Sequence, residues 1–406
     1  MTSAARGGSA LMSSPHRLCF FWAAVQWLLA AAWWVGVLAG LVSVARVPAS
    51  TVHALWFALG FMPLFIAGFL LTAGPKWLQA PPVDARTLRH GVAAFSLGWL
   101  AVPIGAALDE RWMAAGLALA AIGLILLGRR VVQLIGRGQR PDRTHVLVMA
   151  AALGAMAVCS AGAAAVLLTG RTAWLPALAR AGLWWGPVTV FVAASHRMLP
   201  FFGDGLWPWL EQRWPNGWLW LLLSVPVLQG ALGLWALVEP PGALLRTLAV
   251  AHLAVVCVVS ALLTLRWVGT PPLRFALMRM FFVALLWWVV ALILLTTASW
   301  PGWSPTVGGQ IDIAAVHALS IGYLGGTMVA MVTRVTVTQA GRSRAVDRWV
   351  IVLYIALQVA AASRVAAALW PTVASQGWLI AAGSAWSVVA LGWIARYGRW
   401  LARPSA

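Results

Sequence analysis

The stretch HALSIGYLGGTMVAMVTRVTVTQAGR, residues 317–342, decides the fold of this chain. It begins with His317, and no charged side chain follows until Arg334. A helix rises about 1.5 Å per residue, so the helix between these two residues would be roughly 25 Å long. This length approaches the roughly 30 Å thickness of the hydrocarbon layer of a bilayer. The stretch therefore predicts a membrane-spanning helix with His317 near one membrane face and Arg334 near the other.

Small residues form a smooth face on this predicted helix. Gly322 and Gly326 lie about one turn apart on the same side, and Gly325 widens the patch. Small residues at this spacing let membrane helices approach each other closely. We therefore expect Gly322, Gly325 and Gly326 to be helix-packing residues.

A second face of the same helix could carry a ligand. In a regular α-helix His317, Leu324, Met328 and Met331 fall along one stripe. The stripe predicts a surface on which a flat apolar ligand could lie.

The composition predicts an all-α integral membrane protein. Of the 406 residues, 62% are hydrophobic and only 9% are charged, whereas soluble proteins have about 25% charged residues. Twelve apolar stretches are long enough to cross a bilayer as helices. They cover approximately residues 18–44, 52–72, 92–108, 112–128, 144–168, 174–194, 217–237, 243–264, 276–296, 313–333, 349–369 and 376–396. We predict a polytopic helical bundle in which residues 1–406 form a single membrane domain.

The formal charge of +19 indicates membrane topology rather than a nucleic-acid partner. Most Lys and Arg residues fall on every second connection between the predicted spans, and cytoplasmic loops are the ones enriched in these residues. Both termini are therefore predicted to be cytoplasmic, with tails at residues 1–17 and 397–406. We expect the basic loops to contact the lipid bilayer, and we predict no nucleic-acid partner.

The acidic residues all lie in predicted loops or at the ends of predicted spans. They are Asp84, Asp109, Glu110, Asp142, Asp204, Glu211, Glu239, Asp312 and Asp347. Ion-coupled carriers usually rely on a carboxylate inside the membrane. The pattern therefore argues against a proton- or sodium-coupled carrier and is compatible with an uncoupled one.

Histidines are the remaining candidates for chemistry. His53 and His317 begin even-numbered spans, so we expect them at matching depth near the non-cytoplasmic face. Imidazole is the commonest protein ligand for metals and holds haem iron in many proteins, which makes these two residues candidate haem-iron ligands. The same helices could instead simply pack tightly. His252, in the middle of a span, is a weaker metal candidate or a hydrogen-bonding bridge between helices.

Two arginines end the opening stretch on the predicted cytoplasmic side. Arg334 and Arg342 could serve as topogenic charges that contact lipid phosphate. In the alternative interpretation, Arg334 pairs with a haem propionate, or with Asp204 or Glu211 from the neighbouring predicted loop.

Three separated segments resemble the NnrS family of bacterial membrane proteins. They are residues 53–77, residues 197–202, and residues 317–335 followed by Gly341 and Arg342. The resemblance implies twelve spans in the bacterial cytoplasmic (inner) membrane, bound haem and copper, and a role in the response to nitric oxide. It assigns His53 and His317 to family positions.

The chain also departs from the family pattern at three places. Leu55 and Trp56 stand where the pattern commonly has His and Glu, and Gln339 stands where it has His. A further family histidine is missing around Leu277 and Met278. A copper site needs several converging donors, so the resemblance favours one haem over copper here.

These observations lead to one functional hypothesis and two alternatives. The first is a haem protein of the nitric-oxide response that binds nitric oxide or another small diatomic ligand, or that transfers electrons. The second is an uncoupled transporter or channel for a small solute. The third is a metal-free partner in the assembly of another haem protein.

Overall fold

The computed structural model describes residues 10–202, 216–269, 271–300, 302–341, 347–372 and 374–402. These residues form helices joined by short loops, with no β-strand among them, so the all-α prediction is confirmed. Twelve helices are long and apolar enough to cross a membrane, which confirms the predicted number. They are α1 (Pro15–Leu38), α2 (Ala49–Leu78), α3 (Ala85–Leu108), α4 (Glu110–Gly136), α5 (Thr144–Leu168), α6 (Thr172–Met198), α7 (Asn216–Trp235), α8 (Ala243–Leu265), α9 (Ala276–Ala298), α10 (Pro305–Gln339), α11 (Arg348–Leu369) and α12 (Ser375–Ala402).

Helix α2 consists of two helical pieces. The first ends at Leu59, and the second begins at Met62. Pro63 is at the start of the second piece, where its missing N–H group needs no partner within the helix. Gly60 leaves room for the indole of Trp56, which a Cβ atom at this position would strike. The break therefore has a local cause in the sequence.

Helix α10 contains a π-helical segment directly after His317. The segment covers Ala318–Gly325, and α-helix resumes at Gly326. A π-turn holds more residues than an α-turn, so side chains beyond it rotate away from the register of a regular helix. Leu324 and Met328 are only 0% and 1% exposed because neighbouring helices cover them. The predicted ligand stripe through these residues is therefore wrong.

The glycine face of α10 lies at the centre of three helix contacts. A Cβ atom at Gly322 would strike the ring of Trp287 in α9. One at Gly325 would lie 2.9 Å from Trp386 in α12, and one at Gly326 would lie 3.0 Å from the Tyr354 hydroxyl in α11. The structure therefore places all three glycines where bulky side chains of other helices approach the backbone.

Interhelical hydrogen bonds join α9, α10, α11 and α12 around the glycine face. The Trp287 indole donates to Gln358 Oε1 at 2.7 Å, and the Tyr354 hydroxyl donates to the carbonyl of Met280 at 2.5 Å. The Trp393 indole donates to Thr333 Oγ1 at 2.9 Å. Polar groups in a lipid-surrounded bundle are best satisfied by such bonds between helices.

Helix α10 also begins earlier than the hydropathy pattern predicts. It starts at Pro305, with Ser304 as its N-cap accepting a hydrogen bond from the Val307 N–H group. Asp312 consequently lies inside the helix, and its placement at a span end in the sequence analysis is corrected. The first turns of α10 contain polar residues, so hydropathy alone did not reveal where the helix begins. Proline directly after a serine cap is nevertheless a typical helix start.

Candidate functional site

The two predicted haem ligands meet in the folded chain. His53 lies near the start of α2, and His317 lies just before the π-segment of α10. Their ring centres are 6.3 Å apart, and the ring planes differ by only 8°. Both rings line the same cavity and retain some exposure towards it. Two residues that are distant in the sequence thus place nearly parallel imidazole rings in the wall of one cavity.

The ring orientation of His317 is fixed by its own helix. Its Nδ1 lies 2.8 Å from the carbonyl oxygen of Ile313. A carbonyl can only accept, so Nδ1 carries the proton and donates it. The lone pair then lies on Nε2, which is the arrangement typical of a metal-ligating histidine.

His53 is held by aromatic neighbours instead. Its ring centre is 4.1 Å from that of Trp34 in α1 and 4.3 Å from that of Phe57, one turn further along α2. Its Nδ1 is buried and has no hydrogen-bond partner among the described residues. A buried nitrogen without a hydrogen-bond partner costs free energy, so Nδ1 of His53 is still available to interact with a ligand.

The cavity has a volume of about 460 Å³ and is mostly apolar. This volume lies within the range of about 300–1,000 Å³ for small-molecule sites. Trp34, Phe57, Phe61 and Trp386 supply aromatic surface to its wall. The shape and lining suit a flat, largely apolar ligand.

Three charged side chains interrupt this apolar wall. Arg180 of α6 and Asp312 of α10 form a two-pronged ion pair, with 2.6 Å between Arg180 Nη2 and Asp312 Oδ1. Arg364 of α11 also lines the cavity, but it makes no hydrogen bond or ion pair with any described residue. Among the described residues of the wall, the positive charge of Arg364 is therefore not neutralised by a carboxylate.

Arg180 and Arg364 were not among the site residues predicted from the sequence. The available signal was the position of each arginine inside a predicted span, since charged residues inside a membrane helix usually mark functional sites. Asp312 was missed because it was assigned to the end of a span.

His252 lies elsewhere and is engaged in a helix bridge. Its Nε2 is 2.6 Å from the hydroxyl oxygen of Ser224 in α7. That hydroxyl donates its one hydrogen bond to the carbonyl of Leu221, at 2.6 Å. His252 Nε2 must then be the donor, so this nitrogen has no lone pair for a metal.

Of Arg334, Arg342 and the two acidic residues predicted to pair with Arg334, only Arg334 lies among the described residues. Arg334 follows the π-segment near the opposite end of α10, and it is not part of the cavity wall. Arg342, Asp204 and Glu211 lie outside the described residues. The cavity that contains both histidines therefore gives no support for the propionate alternative for Arg334, which stays a prediction.

A second histidine pair, which the sequence analysis did not predict, lies near the opposite end of the bundle. His145 Nε2 is 3.0 Å from His196 Nδ1, and both rings are buried. Arg197, next in the chain, is 3.9 Å from Asp142 in the loop before α5. Within the described part of the chain, no three His, Cys, Asp or Glu side chains converge to hold one metal ion. This finding gives no support for a copper site.

Comparison with known proteins agrees with the resemblance seen in the sequence. A family model described as NnrS protein matches residues 10–405. No curated protein and no solved structure matched the chain significantly. Because the family model covers nearly the whole chain, this multi-pass membrane protein is a member of the NnrS family.

Proposed function

We propose that this protein holds a haem between His53 and His317, near the non-cytoplasmic side of the bacterial cytoplasmic membrane, and acts in the response to nitric oxide. The observation that carries the proposal is the pair of parallel imidazoles across one apolar cavity. The known association of the NnrS family with haem supports the same assignment.

The residues present fit a haem better than they fit copper. His317 has its Nε2 lone pair free, and the buried Nδ1 of His53 has no hydrogen-bond partner among the described residues. The aromatic wall suits a macrocycle, and the guanidinium of Arg364, which has no ion-pair partner among the described residues, suits a carboxylate. Copper would need a larger converging donor set than the two histidines provide.

The protein's own contribution would be to orient the two ligands and to exclude water. The Ile313 carbonyl fixes the His317 ring, and Trp34 and Phe57 fix the His53 ring. A bound haem supplies an iron that exchanges single electrons and binds diatomic molecules. His53 and His317 would both hold the iron, and two histidine ligands on one iron would favour electron transfer.

A second candidate function is an uncoupled path for a small anionic solute. Two arginines and one aspartate line the cavity, and the adjacent helix α2 is interrupted at Gly60, as in many transporters. Uptake of nitrate into proteoliposomes by a preparation without pigment would favour this candidate. A metal-free assembly partner would likewise be colourless, but it would transport nothing.

The haem proposal is tested by absorption spectra of protein purified from haem-replete cells. We expect a Soret band in the wild type, and a shifted or strongly reduced band in His53→Ala and in His317→Ala. His252→Ala is the matched control, because its ring bridges two helices outside the cavity, and its spectrum should equal that of the wild type. A wild type without a Soret band would refute the haem proposal, and unchanged spectra in both variants would refute the ligand assignment.

A further inference from the structure

The position of Arg364 conflicts with a purely topogenic role. Arginines that set topology are enriched on the cytoplasmic side. Arg364 lies about one and a half turns before the end of α11, in the wall of the cavity that contains His53 and His317. By the predicted topology this is the non-cytoplasmic half of the helix. Its charge therefore needs a different explanation.

The charges of the cavity wall call for an anion. Asp312 is the only carboxylate that the described residues contribute to the wall, and Arg180 already binds both of its oxygens. A guanidinium withdrawn from water is costly unless a partner neutralises it. Among the described residues Arg364 has no such partner. A ligand that enters the cavity would supply the missing counter-charge.

The remainder of the wall defines what kind of anion this is. A small inorganic ion would meet aromatic and aliphatic surface over most of the cavity. A flat apolar body with a carboxylate at its edge would use both the aromatic wall and the guanidinium. Arginine also binds carboxylates with two parallel hydrogen bonds, which fixes the orientation of the group it holds.

We propose that Arg364 binds the carboxylate of the cavity's ligand, which under the proposed function is a haem propionate. This inference rests on the proposed function for the identity of the ligand. The contact itself needs only the porphyrin body and its carboxylate, not the iron. Arg364 is thus a binding residue for the ligand's edge, while the two histidines bind at its centre.

The experiment compares ligands with and without carboxylates. Metal-free protoporphyrin IX and its dimethyl ester are titrated into purified protein, and binding is followed by quenching of tryptophan fluorescence. Haemin and haemin dimethyl ester are titrated in parallel and followed by the Soret band. The proteins are the wild type, Arg364→Gln, Arg364→Lys and the control Arg246→Gln, which changes an exposed arginine in α8 outside the cavity wall.

We expect the wild type and Arg246→Gln to prefer the free carboxylates over the esters by about tenfold or more, as for a charge-assisted hydrogen bond. Arg364→Gln should weaken binding of the free acids by that factor and leave binding of the esters unchanged. Arg364→Lys should retain part of the preference. Equal weakening of acids and esters in Arg364→Gln, or an unchanged preference, would overturn the inference.

The two proposals fail in different ways. If metal-free porphyrin shows the Arg364-dependent preference but the Soret band is the same in the wild type, His53→Ala and His317→Ala, the haem-ligand proposal fails and the carboxylate contact stands. If haemin binds through His53 and His317 without an acid preference, the contact fails alone. If the wild type binds none of the four compounds, both are overturned.

Discussion

One hydrogen bond determines which nitrogen His317 can offer to a ligand. Because the Ile313 carbonyl accepts a hydrogen bond from His317 Nδ1–H, the ring can bind a ligand only through Nε2. His53 lacks such a bond among the described residues and depends on ring contacts with Trp34 and Phe57 for its orientation. The two candidate ligands are therefore held by different means, and substitutions beside each should act differently.

Replacing the aromatic support of His53 should weaken haem binding without removing a ligand. Aromatic ring contacts contribute about 0.5–1.5 kcal/mol beyond simple burial. We therefore predict that Trp34→Ala lowers haem affinity by roughly two- to tenfold, because 1.4 kcal/mol corresponds to a factor of ten. Trp112→Ala, which changes an exposed tryptophan at the start of α4, should bind haem like the wild type. Titration followed by the Soret band measures both, and equal affinities of Trp34→Ala and the wild type would contradict the role given to Trp34.

Single residues were predictable from the sequence only where their type and depth were enough. The matching depth of His53 and His317 could be predicted because the spans alternate in direction, but the 6.3 Å between their ring centres could not. Whether Arg364 lines the cavity depends on which face of α11 turns inward, and the local sequence does not determine this face. Which nitrogen of His252 carries a proton depends on the hydroxyl of Ser224 in another helix, and the sequence around His252 does not reveal this contact.

At the level of elements, α10 carries both the glycine packing face and the candidate ligand His317. The π-segment Ala318–Gly325 lies between His317 and the α-helix that follows, so side chains before and after it do not share one regular helical register. The length of the hydrophobic run predicted a spanning helix here, but regular periodicity could not predict the change of register. A π-turn depends on tertiary packing as much as on local sequence.

The glycine face of α10 should not tolerate a branched side chain. In Gly322→Val the new methyl groups would displace the Trp287 ring, and its 2.7 Å hydrogen bond to Gln358 would be lost. Overpacking of this kind typically costs about 1–3 kcal/mol. We predict a lower midpoint of thermal unfolding in detergent for Gly322→Val than for the wild type.

A matched glycine tests whether packing is the cause. Gly154 lies on an exposed face in the interior of α5, and a Cβ atom there would meet nothing within 4 Å. Gly154→Val changes helix propensity in the same way and should leave the midpoint near that of the wild type. Equal destabilisation by the two substitutions would show that the close contact with Trp287 is unimportant.

At the level of the whole molecule, the number of spans was predictable and their arrangement was not. Each span is signalled by its own hydropathy, which is a local property. Contacts between spans are not signalled in this way, because lipid and neighbouring helices offer similar apolar surfaces. The meeting of α2, α6, α10 and α11 around one cavity therefore emerged only from the structure.

The orientation of the molecule in the membrane stays a prediction. The arrangement of basic residues places both termini in the cytoplasm, and the cavity then lies towards the opposite side. We predict that green fluorescent protein at the C-terminus fluoresces, and that alkaline phosphatase fused there is inactive. The same phosphatase fused after residue 303, between α9 and α10, should be active, and the reverse pattern would place the cavity on the cytoplasmic side.

The most direct test of the central claim is low-temperature electron paramagnetic resonance of the oxidised, haem-loaded protein. It reports whether His53 and His317 ligate the same iron, and it is recorded for the wild type, His53→Ala and His317→Ala. We predict a low-spin signal typical of two imidazole ligands in the wild type and a high-spin signal in each variant. A high-spin wild type, or a low-spin signal that persists in either variant, would contradict the claim.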